Sequence, residues 1–298
     1  MFRGLIVAMV TPFRGGGLDL DGCARLVEFM LEGGVEGLVV SGSTGEAATC
    51  SLDERRTLWT FVRERVKGRV PVIAGTGTNS TSESIVNTRL AEDLGLDGVM
   101  LVTPYYNKPT PRGQAEHFTT VARATKLPVV LYNVPSRTGT NTLPDVFERV
   151  QGVPNIVAVK EASGSLDQAA AIAARTRLTL LSGDDSLTLP MIAVGAAGVI
   201  SVAGNVAPRE MRALCDHARA GRIAEAVETH RRLLPLFKAL FIESNPAPAK
   251  FLLSAMGIAA NELRLPLVSV EPASEQAILA AAAAVGVAVE ASTPGARR

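Results

Sequence analysis

The sequence predicts an α/β fold, a (β/α)8 TIM barrel followed by additional C-terminal helices. Eight short apolar runs rich in Val, Ile and Leu, amphipathic segments between them, and polar motifs placed just after the runs carry that prediction. The runs are Leu5–Val10, Gly37–Val40, Val70–Ala74, Gly98–Val102, Val129–Tyr132, Ile156–Val159, Leu178–Leu181 and Gly198–Val202. Runs this short and continuously apolar suit parallel strands covered on both faces. The intervening patterns Asp21–Glu32, Leu52–Val66, Ser82–Leu94 and Gly113–Ala124 read as helices. Ser51 with Asp53 and Glu54 looks like an N-cap and an acidic first turn, and Thr81 followed by Ser84 looks like another. An open doubly wound sheet is the competing architecture, but eight consecutive units favour closure.

From about Pro208 onward the chain reads as the last barrel helix and further helices, interrupted at Asn245-Pro246-Ala247-Pro248. Residues 1–222 are expected to form the catalytic barrel. Residues 223–298 are expected to form a helical region whose tail, Ser292–Arg298, frays. The alanine-rich Ala277–Val289 segment suits a helix near the surface and is too short to cross a bilayer.

Composition removes several classes of function. Of 298 residues, 47% are hydrophobic and 20% charged, which supports a large core. A net charge of +1, no basic stripe and 4% aromatic residues speak against a nucleic-acid surface. Cys23, Cys50 and Cys215 are odd in number and far apart, which fits a reducing compartment better than a disulfide framework. His117, His217 and His230 form no ligand pair at helical spacing, so no metal site is expected. The apolar stretch behind Arg3 is too short for a signal peptide and ends at Pro12 and Arg14. A cytoplasmic protein that binds no membrane is expected.

In a (β/α)8 barrel the chemistry lies on the loops at the C-terminal ends of the strands. Lys160 closes the sixth run there. A lysine at the end of a doubly covered strand is costly unless used, because desolvation disfavours its charge. The free amine so produced can form a Schiff base with a carbonyl compound; otherwise the side chain snorkels into solvent.

Other motifs share this edge. Ser41-Gly42-Ser43-Thr44-Gly45-Glu46 offers backbone amides and hydroxyls to a carboxylate or phosphate, or is a tight turn that needs glycine. Gly75-Thr76-Gly77-Thr78 starts like a dinucleotide fingerprint but has Ser80 where the third glycine belongs, so nicotinamide binding is rejected. Thr103-Pro104-Tyr105-Tyr106-Asn107 and Tyr132-Asn133-Val134-Pro135 carry all three tyrosines of the chain, and Arg137 follows. A phenol can pass a proton and a guanidinium can grip a carboxylate. Ser182-Gly183-Asp184-Asp185 reads as an N-cap, since no third carboxylate completes a magnesium site. Gly204, just past the last run, leaves a phosphorylated substrate open.

Taken together, Gly42-Ser43-Thr44-Gly45-Glu46, Tyr105-Tyr106-Asn107, Tyr132-Asn133-Val134-Pro135, Lys160-Glu161 and Gly183-Asp184-Asp185 resemble one family in order and register, from Gly4 to about Leu267. It is the pyruvate-dependent class I aldolase family typified by dihydrodipicolinate synthase and N-acetylneuraminate lyase. The resemblance implies a Schiff base between Lys160 and pyruvate, with Thr44 and nearby amides holding the pyruvate carboxylate. It makes Tyr132 the proton-transferring group, linked through Ser43 to a Tyr106 donated across a dimer interface. It assigns backbone carbonyls at Gly183 and Ile200 to the nucleophilic face, and it implies a homotetramer built as a dimer of dimers.

Arg137 matches the arginine with which the synthases hold the carboxylate of L-aspartate-4-semialdehyde, whereas Ser43 leans weakly toward the lyases. The resemblance therefore favours synthesis of 4-hydroxy-tetrahydrodipicolinate, the first committed step of diaminopimelate and lysine biosynthesis, with no cofactor. It also implies a lysine regulatory site at Asn79, Glu83, Tyr105, Ala47, Leu52 and Arg55. The last three depart from the polar and imidazole residues of strongly inhibited members, so weak or absent lysine inhibition is expected. A related aldolase acting on a 2-keto-3-deoxy sugar acid, 4-hydroxy-2-oxoglutarate or N-acetylneuraminate is the alternative. A non-catalytic barrel that binds keto acids is the remoter one.

Overall fold

Every strand of the barrel is built from an apolar run read in the sequence. The computed structural model describes residues 2–289; the tail Ser292–Arg298 lies outside them. The chain starts with β1 (Gly4–Ala8), the short hairpin β2 (Phe13–Arg14) and β3 (Gly17–Leu18), and α1 (Leu20–Glu32). It continues through β4 (Gly37–Val40), α2 (Leu52–Val66), β5 (Val72–Gly75), α3 (Thr81–Asp93), β6 (Gly98–Val102) and α4 (Pro111–Arg123). Then come β7 (Val129–Asn133), α5 (Pro135–Thr138), α6 (Pro144–Val150), β8 (Ile156–Glu161), α7 (Leu166–Arg175), β9 (Thr179–Ser182) and α8 (Thr188–Ala193). The barrel ends with β10 (Gly198–Ser201) and α9 (Pro208–Arg219), and α10 (Ile223–Ala239), α11 (Ala247–Ala255) and α12 (Pro272–Ala284) follow. Among the described residues, no helix is long and apolar enough to cross a membrane.

The closed sheet runs β1-β10-β9-β8-β7-β6-β5-β4, all parallel, with β4 returning to β1. Period-two alternation sorts its side chains into two cores. Ile6, Ala8, Val39, Ile73, Met100, Val130, Ala158 and Ile200 fill the interior. Leu5, Val7, Leu38, Val40, Val72, Ala74, Val99, Leu131 and Val159 pack under the helices. The same parity decides the chemistry at the strand ends. Lys160 follows Ala158 by two and Tyr132 follows Val130 by two, so both face inward, while Asn133 and Glu161 face the helices.

Helix starts show one agreement and one correction. Ser51 makes a capping box with Glu54, as its spacing suggests. The next helix is capped by Ser80 rather than Thr81: the Ser80 hydroxyl accepts from the Glu83 amide, and Thr81 instead bonds His117 Nδ1 at 2.9 Å.

The hairpin was not anticipated from the sequence. Its turn uses Gly15 and Gly16, both at positive φ, whose amides donate to the Glu262 carboxylate at 2.8 and 2.6 Å. Helix α11 begins at Ala247, where the proline-rich break was expected.

The C-terminal region is tied to the barrel by charge. Lys250 is fully buried and forms an ion pair with Glu46 on the loop after β4; its ammonium also lies 4.2 Å from the centroid of the Phe13 ring. The other Glu46 oxygen accepts from the Arg264 amide, and Arg264 pairs with Glu54. Removing one member of a buried pair strands the other charge. Lys250→Met should therefore lower unfolding free energy by about 3–5 kcal/mol. Urea titration checks this, and a loss under about 1 kcal/mol would mean that Glu46 finds another partner or a proton.

Candidate active site

Strand parity and burial together set the state of Lys160. The side chain is 4% exposed, and its Nζ lies 4.2 Å from the centroid of the Tyr132 ring on the neighbouring strand. Burial lowers its pKa from 10.5 to about 8; Asp184 and Asp185 oppose the shift and Arg137 adds to it. Burial pushes the Tyr132 phenol up, so it stays protonated and able to donate. At pH 7 a pKa near 8 leaves about a tenth of the amine free, against about one part in three thousand at 10.5. The rate at which borohydride traps a pyruvate imine should therefore climb with pH to about 8 and then level off. A flat profile from pH 6 to 9 would count against Lys160 as the amine.

Glu161 holds the end of β8 in place. Its carboxylate accepts from the Ser163 amide at 2.7 Å, from Asn133 Nδ2 at 3.0 Å and from Gln168 Nε2 at 3.1 Å. With Glu161 pinned outward, the backbone presents Lys160 inward. Gly183 leaves the room Lys160 needs: a Cβ there would stand 2.5 Å from Ala162 Cβ and 3.2 Å from Lys160 Cε.

Asp184 and Asp185 require a correction. Neither side chain caps the following turn. Asp185 is buried and accepts from the Ser201 hydroxyl, from the Val202 amide at 3.1 Å and from the Ala203 amide at 2.8 Å. It clamps the backbone just beyond Ile200. Asp184 has its pKa raised to about 6, first by burial, with the Lys160 charge pulling it back.

The loop after β4 brings Ser43 and Thr44 to the mouth in different states. Thr44 is buried, and its hydroxyl accepts from Asn245 Nδ2 at 2.9 Å. Ser43 is exposed and lines a cavity of about 280 Å³ with Tyr132, Arg137, Tyr105, Ala47 and Arg55. Arg137 is exposed, and its Nη2 donates to the Asn245 carbonyl at 3.1 Å. Glycines let the neighbouring loops close on this mouth. A Cβ at Gly75 would lie 2.1 Å from the Ser41 carbonyl oxygen, and one at Gly77 would lie 2.5 Å from the Val102 amide. That packing accounts for the Gly75-Thr76-Gly77 pattern without a nucleotide.

Of the residues singled out in the sequence, Lys160, Tyr132, Ser43, Thr44, Arg137, Gly183 and Ile200 lie at the C-terminal mouth and interior of the barrel. Ile200 is fully buried there. Tyr106 does not turn inward: it is 88% exposed at positive φ, on the loop after β6. Tyr105, Ala47 and Arg55 line the cavity, whereas Asn79, Glu83 and Leu52 stand outside its lining. Sequence reasoning took Asn245 only as part of a helix break, and it missed the roles of Glu161 and Asp185. Parity beside Lys160 could have found Glu161. Asn245 lies 201 residues from Thr44, and no spacing announces that contact.

The sequence model described as the dihydrodipicolinate synthetase family matches residues 1–285. A 4-hydroxy-tetrahydrodipicolinate synthase of Thermotoga neapolitana is 48% identical over 284 residues, covering 93% of this chain and 96% of that protein. One from Geotalea uraniireducens is 49% identical over 282 residues, covering 94% and 97%. The crystal structure of dihydrodipicolinate synthase from Aquifex aeolicus superposes with a TM-score of 0.95 at 42% identity, covering 97% of this chain and all of that one. The barrel, the inward lysine and these relatives lead to one conclusion: this chain belongs to the dihydrodipicolinate synthetase family.

Proposed function

We propose that the chain condenses pyruvate with L-aspartate-4-semialdehyde to give 4-hydroxy-tetrahydrodipicolinate. The observation that carries this is the desolvated amine of Lys160 against Tyr132, with Arg137 at the mouth above. The Lys160 amine adds to the pyruvate ketone, and loss of water leaves an iminium, which acts as electron sink. Proton loss from the methyl group gives an enamine whose carbon attacks the aldehyde. The product's amino group then closes on the former ketone carbon and expels Lys160. Thr44, fixed by Asn245, binds the pyruvate carboxylate, and Arg137 binds that of the aldehyde. Gly183 and Ile200 supply backbone carbonyls, with Asp185 holding the turn beyond Ile200. Tyr132 moves protons through Ser43 to a Tyr106 from a second copy, and the exposure of Tyr106 supports that assignment. We read residues 1–222 as the catalytic barrel and 223–298 as the region supporting a homotetramer, in the cytoplasm.

The test is a coupled assay with both substrates, a dihydrodipicolinate reductase and NADPH. NADPH loss that needs both substrates supports the synthase. None, with active reductase, moves the reading to an aldolase taking a sugar-acid aldehyde. Lysine inhibition should be weak, because Arg55 sets a positive charge beside a cationic effector. Half-inhibition at sub-millimolar lysine in a dose–response curve would contradict it.

A further inference from the structure

The loop Ser41–Glu46, which carries the proposed pyruvate carboxylate site, is bracketed by two left-handed residues. Ser41 has φ 56° and Glu46 has φ 51°, and neither is glycine. A residue with a Cβ rarely sits there, and the strain persists only where its surroundings over-determine it. The winding spends some amides and spares others. Gly45 and Ala47 donate to the Gly42 carbonyl at 3.0 and 3.3 Å, and Glu46 donates to the Ser43 carbonyl at 3.1 Å. The amides of Ser43 and Thr44 donate to no atom among the described residues, which leaves two adjacent N–H groups for a carboxylate.

Each bracketing residue is held by a buried side chain from outside the loop. Trp59, on α2 and fully buried, donates from Nε1 to the Ser41 hydroxyl at 3.0 Å. Lys250, on α11 and fully buried, pairs with the Glu46 carboxylate and donates to the Glu262 carbonyl at 2.8 Å. Neither side chain lines the cavity of about 280 Å³. Filling a core calls for neither an indole N–H nor an ion pair, since an apolar pair buries as favourably. Both polar contacts land instead on the strained residues. On the reading above that Thr44 and its amides bind pyruvate, we propose that Trp59 and Lys250 are positioning residues for that loop. Each holds the carboxylate-binding shape through the left-handed residue at one end, without touching the substrate.

The experiment is borohydride trapping of the imine at varied pyruvate, which gives a half-saturating concentration and a rate at saturation. Trp59→Phe keeps an aromatic ring without the N–H. It should raise the half-saturating concentration about fivefold, as the loss of one buried hydrogen bond would, and leave the saturating rate within about twofold. Ser41→Ala should give a similar rise, and the two together no more than either alone. Lys250→Met should raise the half-saturating concentration by about tenfold or more. Glu46→Gln, which keeps an acceptor for the Arg264 amide, serves at that end if Lys250→Met fails to fold. Leu214→Ala, a buried position on α9, should lose stability without a change in half-saturation. An unchanged half-saturation in Trp59→Phe or in Lys250→Met, or an equal rise in Leu214→Ala, would overturn the proposal while the wild-type imine stands. Absence of the imine in the wild type would overturn the pyruvate reading itself, and the proposal with it.

Discussion

Lys160→Ala should abolish the adduct that borohydride traps with pyruvate, and turnover should fall by about 10⁴-fold or more. The reason is specific to the site. The imine is the electron sink for deprotonating the methyl group, and the other buried lysine among the described residues, Lys250 on α11, is held by Glu46. The fold should survive, because the substitution removes a desolvated amine from beside Tyr132 and leaves the Glu161 anchor of β8 in place. Mass spectrometry of the trapped protein and its circular dichroism decide the matter together. An undiminished adduct on a folded variant would assign the chemistry to another lysine.

Arg137→Met should act on the second substrate. Among the described residues the guanidinium makes one hydrogen bond, to the Asn245 carbonyl, which leaves most of its donors for a ligand. Losing a charge-assisted, two-pronged contact to a carboxylate is worth about 3 kcal/mol, which lowers kcat/KM for the aldehyde about 100-fold. Trapping of the pyruvate imine should stay within about twofold, since the proposed holder of that carboxylate is Thr44 with its amides. Initial rates at varied aldehyde, set against imine trapping at varied pyruvate, separate the two. A matching loss in imine trapping would move Arg137 to the pyruvate carboxylate and leave the aldehyde clamp unassigned.

Much of the fold is legible in the sequence. The eight strands are, because a strand covered on both faces must be a short apolar run, and each run stands where a strand forms. The inward direction of Lys160 and Tyr132 follows from strand parity, once Ala158 and Val130 are known to be interior. The place of the chemistry follows from the barrel, whose C-terminal loops carry the polar motifs. All of these are local properties: period, side-chain size and position at a strand end repeat within a few residues.

Only the folded chain decided the rest. Asn245 reaching Thr44, Lys250 reaching Glu46 and Asp185 reaching the turn beyond Ile200 each join residues far apart in sequence. The sequence reading of Asp185 as a cap failed because a carboxylate bonds whichever amides the tertiary packing brings near, and here those are Val202 and Ala203, just past β10. That Arg55 bonds the Ala47 carbonyl and meets no carboxylate among the described residues is of the same kind. Glu54 sits beside it in sequence, yet its carboxylate points to Arg264. Sequence by itself determined which residues could carry charge or chemistry and on which face of a strand they would stand. Tertiary structure alone decided which charges meet, because burial and pairing are properties of the whole packed chain.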